Sequence, residues 1–346
     1  MDWDNRHGTA SASPFENVRK EARYRWEENF VGYGKMEVMF IYCDTNASYA
    51  SIHQYLEEGQ GKPCVVANGN VWGEADAGSC LAISYEARAA GVKRGASLLG
   101  AKSAVKDLVV YESCLPLYEL YGELYDRVLE WIVPRNICVR GSCDEVVVRV
   151  EREKFPIKDF EVTCERTLSY IRDEASVEFP LRIEPDQRKA IEGLGVWEQT
   201  IYALCYLIRD AVSHVLGLPI SIGVAPSVAL GKALVDRAKP IAIHRDKRTY
   251  LTEHDGIFFP REAKEANAFL RGMPLSGLCG IQVIAGRLRD HGIGRVGDLQ
   301  DTFGLDETIR LSRNKHLGEV LWYSCHGRDD VLPGYLQTIR RGFGWG

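Results

Sequence analysis

The sequence predicts an α+β fold in which a sheet carries helices on one face. Three observations lead there. Short apolar runs of strand length, Val38–Cys43 and Ile220–Ala225, are separated by longer stretches of helical periodicity. Through the middle of the chain the elements follow in the order strand, helix, strand, strand, helix, strand. At 346 residues, 45% hydrophobic and 26% charged, the chain has ordinary globular composition and the length for two or three domains with a sizeable core.

Residues 1–36 form a polar extension of mixed charge, with one helical aromatic stripe at Pro14–Phe30. Val38–Cys43 reads as a buried strand closed by Asp44, followed by a helix over Ala47–Glu58. The Gly59–Pro63 break leads to a second strand, Cys64–Ala67, and a turn at Asn68–Asn70. The apolar stretch from Leu81 to Leu99 runs through a helix, Tyr85–Ala90, stopped by Gly91. Leu115–Val133 is a strongly amphipathic helix. A hairpin joins Ile137–Val139 to Val146–Val148, with Asp144 and Glu145 at its tip. Helices are expected over Thr163–Asp173 and Gln199–Val215, with a loop at Pro180–Arg188 between them. The strand Ile220–Ala225 precedes a helix over Val228–Ala238, stopped by Pro240. From Thr252 onward short helices follow, including a Gly-rich turn across Leu275–Leu299. Two short helices joined in that way would turn backbone N–H groups outward and present a phosphate-binding concavity.

Asp44 and the Asp144–Glu145 pair carry the chemistry. Each lies at the end of an apolar run, and carboxylates on adjacent strands of one sheet can converge on a cation. Three oxygen donors, with little nitrogen or sulfur close in sequence, suit the hard ion Mg²⁺. Two such ions can stabilise the attacking and the leaving oxygen of a phosphoryl transfer. The alternative is that all three are turn carboxylates at strand ends.

Formal net charge is −5, which argues against a tight stand-alone nucleic-acid binder but leaves room for a locally basic cleft. The ten cysteines show no CxxC pair; Cys43, Cys80, Cys138 and Cys205 lie in apolar surroundings and read as reduced core residues. No run reaches the length of a membrane span, and no basic-then-apolar leader opens the chain. The expected setting is cytoplasmic, with no membrane partner.

Five motifs in order give the chain a resemblance. They are Cys43–Ser51 (CDTNASYAS); Ser84–Arg88 with Gly91–Gly95; Ser142–Glu145; Ser221–Ala225 continuing to Lys232 and Ala238–Pro240; and the helix-hairpin-helix-like segment Gly277–Leu299. Together, from about residue 37 to about 335, they resemble the Y-family, UmuC/DinB-like translesion DNA polymerases. The Asp-x-Asn form of Asp44–Asn46 is most similar to the UmuC branch.

The resemblance implies a right-handed polymerase core. Residues 37–47 and 115–246 would form a ferredoxin-like palm, 48–114 small fingers, and 247–335 a helical thumb. Residues 336–346 would be the start of a truncated C-terminal domain, with the little-finger domain absent. It implies that Asp44, Asp144 and Glu145 are catalytic and hold two Mg²⁺ ions, with the Thr45 carbonyl as a further ligand. It implies nucleotide contacts from Tyr49, Tyr85, Arg88 and Lys239, with Tyr49 as the gate that excludes a 2′-hydroxyl. Gly277, Gly280, Gly292 and Gly294 would meet DNA. Residue chemistry agrees: Arg88 can fork onto phosphate oxygens, Tyr85 lies three residues away on the same helix face, and Lys239 offers a point charge. Lys232 is left as a backbone-contact candidate. The implied partners are primer–template DNA, deoxynucleoside triphosphates, and a sliding clamp, a recombinase or a subunit that supplies the missing domain.

This chain departs from the family pattern in places. Cys143 stands where an aliphatic residue is usual, and Ala82 where a hydroxyl often helps bind triphosphate. Ala47 and Ser48 are small where larger residues often occur, which would leave a roomy pocket and low fidelity. The expected activity is error-prone, weakly processive lesion bypass. The competing readings are a non-catalytic polymerase-derived adaptor in a mutagenesis complex, and a nucleotidyl transferase or cyclase of another family built on a similar acidic sheet.

Overall fold

A computed structural model describes residues 38–68, 78–133, 138–152, 195–239, 242–243, 250–251, 256–260, 263–278 and 281–327. The helices expected at Pro14–Phe30 and Thr163–Asp173, the Asn68–Asn70 turn beyond Asn68, and the Pro180–Arg188 loop lie outside the described residues.

A five-stranded sheet organises the molecule. Its strands, from one edge, are β10 (Ile257–Phe258), β7 (Ile220–Ala225), β1 (Val38–Thr45), β6 (Glu145–Glu151) and β5 (Cys138–Arg140). β1 pairs antiparallel with both β6 and β7, and only β10 runs parallel to its neighbour. The β10 strand comes from the C-terminal part of the chain, beyond residue 246.

Helices cover both faces of this sheet, where the sequence reading placed them on one. On one face lie α4 (Leu115–Glu130) and α5 (Val196–Leu216). Their Tyr125, Leu129, Leu204 and Ile208 share a core with Ile41, Cys43, Val148 and Ile222. On the other face lies α6 (Val228–Ala238), against Tyr42 and Val147. The reason is visible in β7, all six of whose residues are buried, as a strand covered on both sides requires. The contact with α6 is very close. A Cβ at Gly223 would lie 2.4 Å from the Gly231 carbonyl oxygen and 2.5 Å from the Val235 nitrogen, so only glycine fits.

The expected helix over Ala47–Glu58 is shorter, α1 (Ser48–Leu56). Ala47 adopts a left-handed conformation, φ 49°, which turns the chain out of β1 and into that helix. A second, three-stranded sheet of order β3–β2–β4 comprises β3 (Ser79–Ile83), β2 (Cys64–Asn68) and β4 (Val109–Glu112), and the short β8 (Ala242–Ile243) and β9 (Tyr250–Leu251) pair separately. With α2 (Tyr85–Ala89) and α3 (Leu98–Ala104) it builds its own small core of Val65, Ala67, Cys80, Ile83, Ala87 and Leu98. Neither β3 nor β4 was expected. The C-terminal part is helical: α7 (Ala263–Gly272), α8 (Gln282–Asp290), α9 (Val296–Thr302), α10 (Leu305–Ser312) and α11 (Lys315–Cys325).

None of the eight described cysteines is in a disulfide; Cys43, Cys80 and Cys205 are buried as expected, and Cys138 is half-buried against the main core. No described helix is long and apolar enough to cross a membrane.

Candidate active site at the end of the five-stranded sheet

Strand register brings the acidic residues together. Asp44 sits directly opposite Glu145 on β6 and Ser221 on β7. Asp144 precedes Glu145, and its carbonyl accepts the Thr45 N–H at 2.8 Å, which locks the end of β1 to the hairpin tip. Because side chains alternate along a strand, Tyr42 and Asp44 project to the same face as their cross-strand partners. That face is the one α6 covers.

Two lysines, Lys232 on α6 and Lys239 just past its end, come down onto these acids. Lys232 and Lys239 are seven residues apart, two helical turns and about 10.5 Å of rise on one side of the helix. The Lys239 ammonium lies 3.3 Å from Asp44 and 2.9 Å from Asp236. The Lys232 ammonium lies 2.5 Å from Glu145 and 3.3 Å from the Tyr42 hydroxyl. The Tyr42 hydroxyl itself donates to Glu145 at 2.8 Å. The Ser142 hydroxyl donates to Asp144. Lys232 is therefore part of the acidic site, not merely a residue near the backbone. The helix spacing from Lys239 was the signal that could have shown it.

Electrostatics mark the site as short of positive charge. Burial pushes the Asp44 carboxyl up to about 7; Lys239 pulls it down, while Asp144 and Glu145 push it further up. Burial also raises Asp144, with the Ser142 hydrogen bond opposing. Burial lowers Lys239, but Asp44 and Asp236 outweigh it, so the ammonium is held charged. A cluster that holds a carboxyl near neutrality in its own right is one in which a divalent cation would be strongly favoured. Donor type fits too, since every acidic ligand is an oxygen. In the present rotamers, no three His, Cys, Asp or Glu side chains among the described residues are grouped closely enough to hold an ion. Glu145 faces Lys232 and would have to turn from it. The Thr45 hydroxyl is buried without a hydrogen-bond partner at this same strand end.

The expected nucleotide-contact residues approach from the small sheet and α1. Tyr85 follows Ser84, whose hydroxyl accepts the Ala87 N–H and caps α2. Burial pushes the Tyr85 hydroxyl up to about 12, against Arg88 and Lys239; both the Lys239 and Asp44 charges reach it. Arg88 is exposed and lies over the Tyr85 ring, 4.9 Å from its centroid. Tyr49, on the first turn of α1, places its hydroxyl 3.4 Å from the Cys143 sulfur, one residue from Asp144. Asn46 is buried and accepts from Ser221 at 3.0 Å, which ties the turn before α1 to β7.

The glycine-rich segment is less open than expected. The Gly277 N–H donates to the Pro274 carbonyl, Gly292 to Arg289 and Gly294 to the Asp298 carboxylate at 2.9 Å. Asp298 also takes the Arg295 N–H at 2.8 Å, as an acid in the first turn of α9 does. These N–H groups are used inside the hairpin and do not point outward; Gly280 lies outside the described residues.

Residues 43–236 match the model of the impB/mucB/samB family. The chain is 27% identical over 305 residues to DNA polymerase IV 2 of Mesorhizobium japonicum, covering 87% of this chain and 56% of that protein. It thus spans about half the length of that curated relative. Among solved structures, a Y-family DNA polymerase chimera aligns with a TM-score of 0.54 at 20% identity, over 83% of this chain and 67% of the other. DinB from Sulfolobus solfataricus aligns with a TM-score of 0.51 at 20% identity, over 85% and 68%. These likenesses agree in fold with the sheet and helices described above. With the family model covering more than half of its length, the chain belongs to the impB/mucB/samB family, the UmuC/DinB-like Y-family polymerases.

Proposed function

We propose that this chain is the core of an error-prone, weakly processive translesion DNA polymerase. It would add deoxynucleotides to a primer 3′-hydroxyl, working in the cytoplasm in DNA damage tolerance. The observation that carries this is the strand register that sets Asp44 opposite Glu145, with Asp144 next to Glu145 in the chain and Lys239 beside Asp44. The five-stranded sheet would be the palm, the three-stranded unit the fingers and the C-terminal helices the thumb.

Asp44, Asp144 and Glu145, with the Thr45 carbonyl, would hold two Mg²⁺ ions. Bound there, they would supply charge stabilisation for the attacking 3′-oxygen and the leaving pyrophosphate. The remaining work falls to this chain's side chains. Lys239 sets a fixed positive charge where the triphosphate enters, and Arg88 and Tyr85 grip its oxygens from the small sheet. The Tyr49 ring lies under the sugar and rejects a 2′-hydroxyl by contact. Gly277, Gly280, Gly292 and Gly294 would let the DNA backbone approach the hairpin closely, with no large side chain between. A net charge of −5 supports weak DNA binding with steep salt dependence. A sliding clamp, a recombinase or a subunit bearing a further DNA-gripping domain would then hold the complex on its template.

The test is primer extension at low salt with Mg²⁺ on undamaged and abasic templates, beside the Asp144→Ala/Glu145→Ala double variant. Extension by the parent and none by the variant is the expected result. No extension by the parent at high enzyme concentration, with Mg²⁺ or Mn²⁺, would sink the catalytic reading and leave the adaptor reading.

A further inference from the structure

We propose that the Tyr49 ring is clamped by Tyr118 at its face and Cys143 at its hydroxyl, and that this clamp sets the discrimination between ribose and deoxyribose. The inference rests on the reading of Tyr49 as the sugar gate.

The Tyr49 and Tyr118 rings are stacked, with centroids 3.8 Å apart and planes 5° from parallel. Tyr118 comes from α4, 2% exposed, so it forms a fixed floor. Tyr49 itself is half-buried. The floor is itself braced. The Tyr118 hydroxyl is 3.0 Å from His53 Nε2, and His53 stands edge-on to the Tyr118 ring at 82°. His53 follows Tyr49 by four residues on α1, so one helix face supplies both the gate and the brace of its floor. Burial lowers the His53 pKa, with the Glu57 charge opposing, which favours a neutral ring able to accept from Tyr118. On its far side the His53 ring stacks on Tyr111 of β4, centroids 4.6 Å apart. The gate is thereby joined through Tyr118, His53 and Tyr111 to the three-stranded sheet.

The second fixing point is chemical. The Tyr49 hydroxyl and the Cys143 sulfur are 3.4 Å apart, within hydrogen-bonding distance for sulfur. An aliphatic side chain at position 143 could fill the same space but could not bond the hydroxyl. Cys143 precedes Asp144, so the bond ties the gate to the strand end that carries the acids. A filter that works by one hydroxyl's bulk must not swing. A tyrosine ring turns about two torsions, and stacking with a bond at the far end removes both freedoms.

Tyr118 and Cys143 are thus positioning residues that act through Tyr49. The test measures single-turnover incorporation of a ribonucleotide and its deoxynucleotide by the full chain and takes their ratio, which does not depend on the folded fraction. Tyr118→Leu should raise ribonucleotide use relative to deoxynucleotide about fivefold, as befits loss of an aromatic pair. Tyr118→Phe keeps the stack and should stay within about twofold of the parent. Cys143→Ile should raise the ratio about two- to threefold, the scale of one weak hydrogen bond. Tyr49→Ala is run alongside: an unchanged ratio there would remove the gate reading. A raised ratio in Tyr49→Ala with none in Tyr118→Leu would overturn the clamp alone. Ring-flip NMR on selectively labelled tyrosine, assigned with Tyr49→Phe, supplies a readout that needs no activity. Slow flipping of Tyr49 in the parent and fast flipping in Tyr118→Leu supports the clamp. Fast flipping in both overturns it.

Discussion

The Lys232 ammonium lies 2.5 Å from the Glu145 carboxylate, so a helix on one face of the sheet neutralises an acid that the strand register delivers to its end. Both side chains are about one-fifth exposed. Replacing Lys232 with Met leaves Glu145 partly buried beside Asp144 with its nearest cation gone. We expect the metal-free protein to lose about 1–3 kcal/mol of stability. Urea denaturation with and without Mg²⁺ checks this, because an ion taking over the charge should shrink the deficit. An equal deficit in both conditions would place the role of Lys232 in packing alone.

Asp44 gives a pH dependence with a definite sign. Its carboxyl is raised to about 7 in the folded protein by burial, against an unfolded value of about 4. Between these values the folded chain holds a proton that the unfolded chain has lost. The stabilisation is complete at the acidic end and is lost as pH rises through 7. In a chelator, stability measured from pH 5 to pH 8 should therefore fall, and Mg²⁺ should restore it most at pH 8. Burial raises Asp144 as well, so Asp44→Asn should give a shallower slope than the parent, and the difference between the two profiles is the Asp44 share; equal slopes would remove Asp44 from the effect.

Arg88 is an exposed residue whose guanidinium lies over the Tyr85 ring. Arg88→Ala should raise the nucleotide concentration needed for half-maximal extension about ten- to a hundredfold, the scale of a charge-assisted bond. Steady-state extension against nucleotide concentration measures it. A loss confined to DNA affinity would move Arg88 out of the nucleotide site.

Ala47 holds a left-handed backbone conformation between the acidic strand end and α1. Glycine there relieves about 1 kcal/mol of local strain. Ala47→Gly should then raise or preserve stability in thermal melts, although glycine adds unfolded-state entropy. At Gly223 the reverse holds: Gly223→Ala drives a methyl into the backbone of α6 and should cost about 1–3 kcal/mol, readable in the same melts.

Much of this architecture was legible from residues. β1, β7 and α6 announced themselves, because an apolar run ending in an acid and an amphipathic stretch ending before proline are strong local signals. The acidic trio followed from them. The strands Ser79–Ile83 and Val109–Glu112 did not, since both are short: SCLAI runs into the stretch that reads as leading to a helix, and VVYE falls between Leu99 and Leu115 with too few residues to show a period. Two-sided cover of the sheet is written in the ISIGVA of β7, which has no exposed alternate position. Long-range partners were out of reach: nothing near Tyr118 in sequence points to Tyr49, and the outward N–H groups expected around Gly294 were claimed by Asp298.

The pairing of Asp44 with Glu145 makes the site a matter of counting. A strand repeats every two residues, so inserting or deleting one residue between Val38 and Cys43 would send Asp44 to the opposite side, toward α4 and α5. Such a change could leave composition, hydrophobicity and every local propensity almost untouched. The number of residues in the run before Asp44 is thus as much a part of the site as their identity: a substitution there alters packing, whereas a change in count removes the acid from its partner.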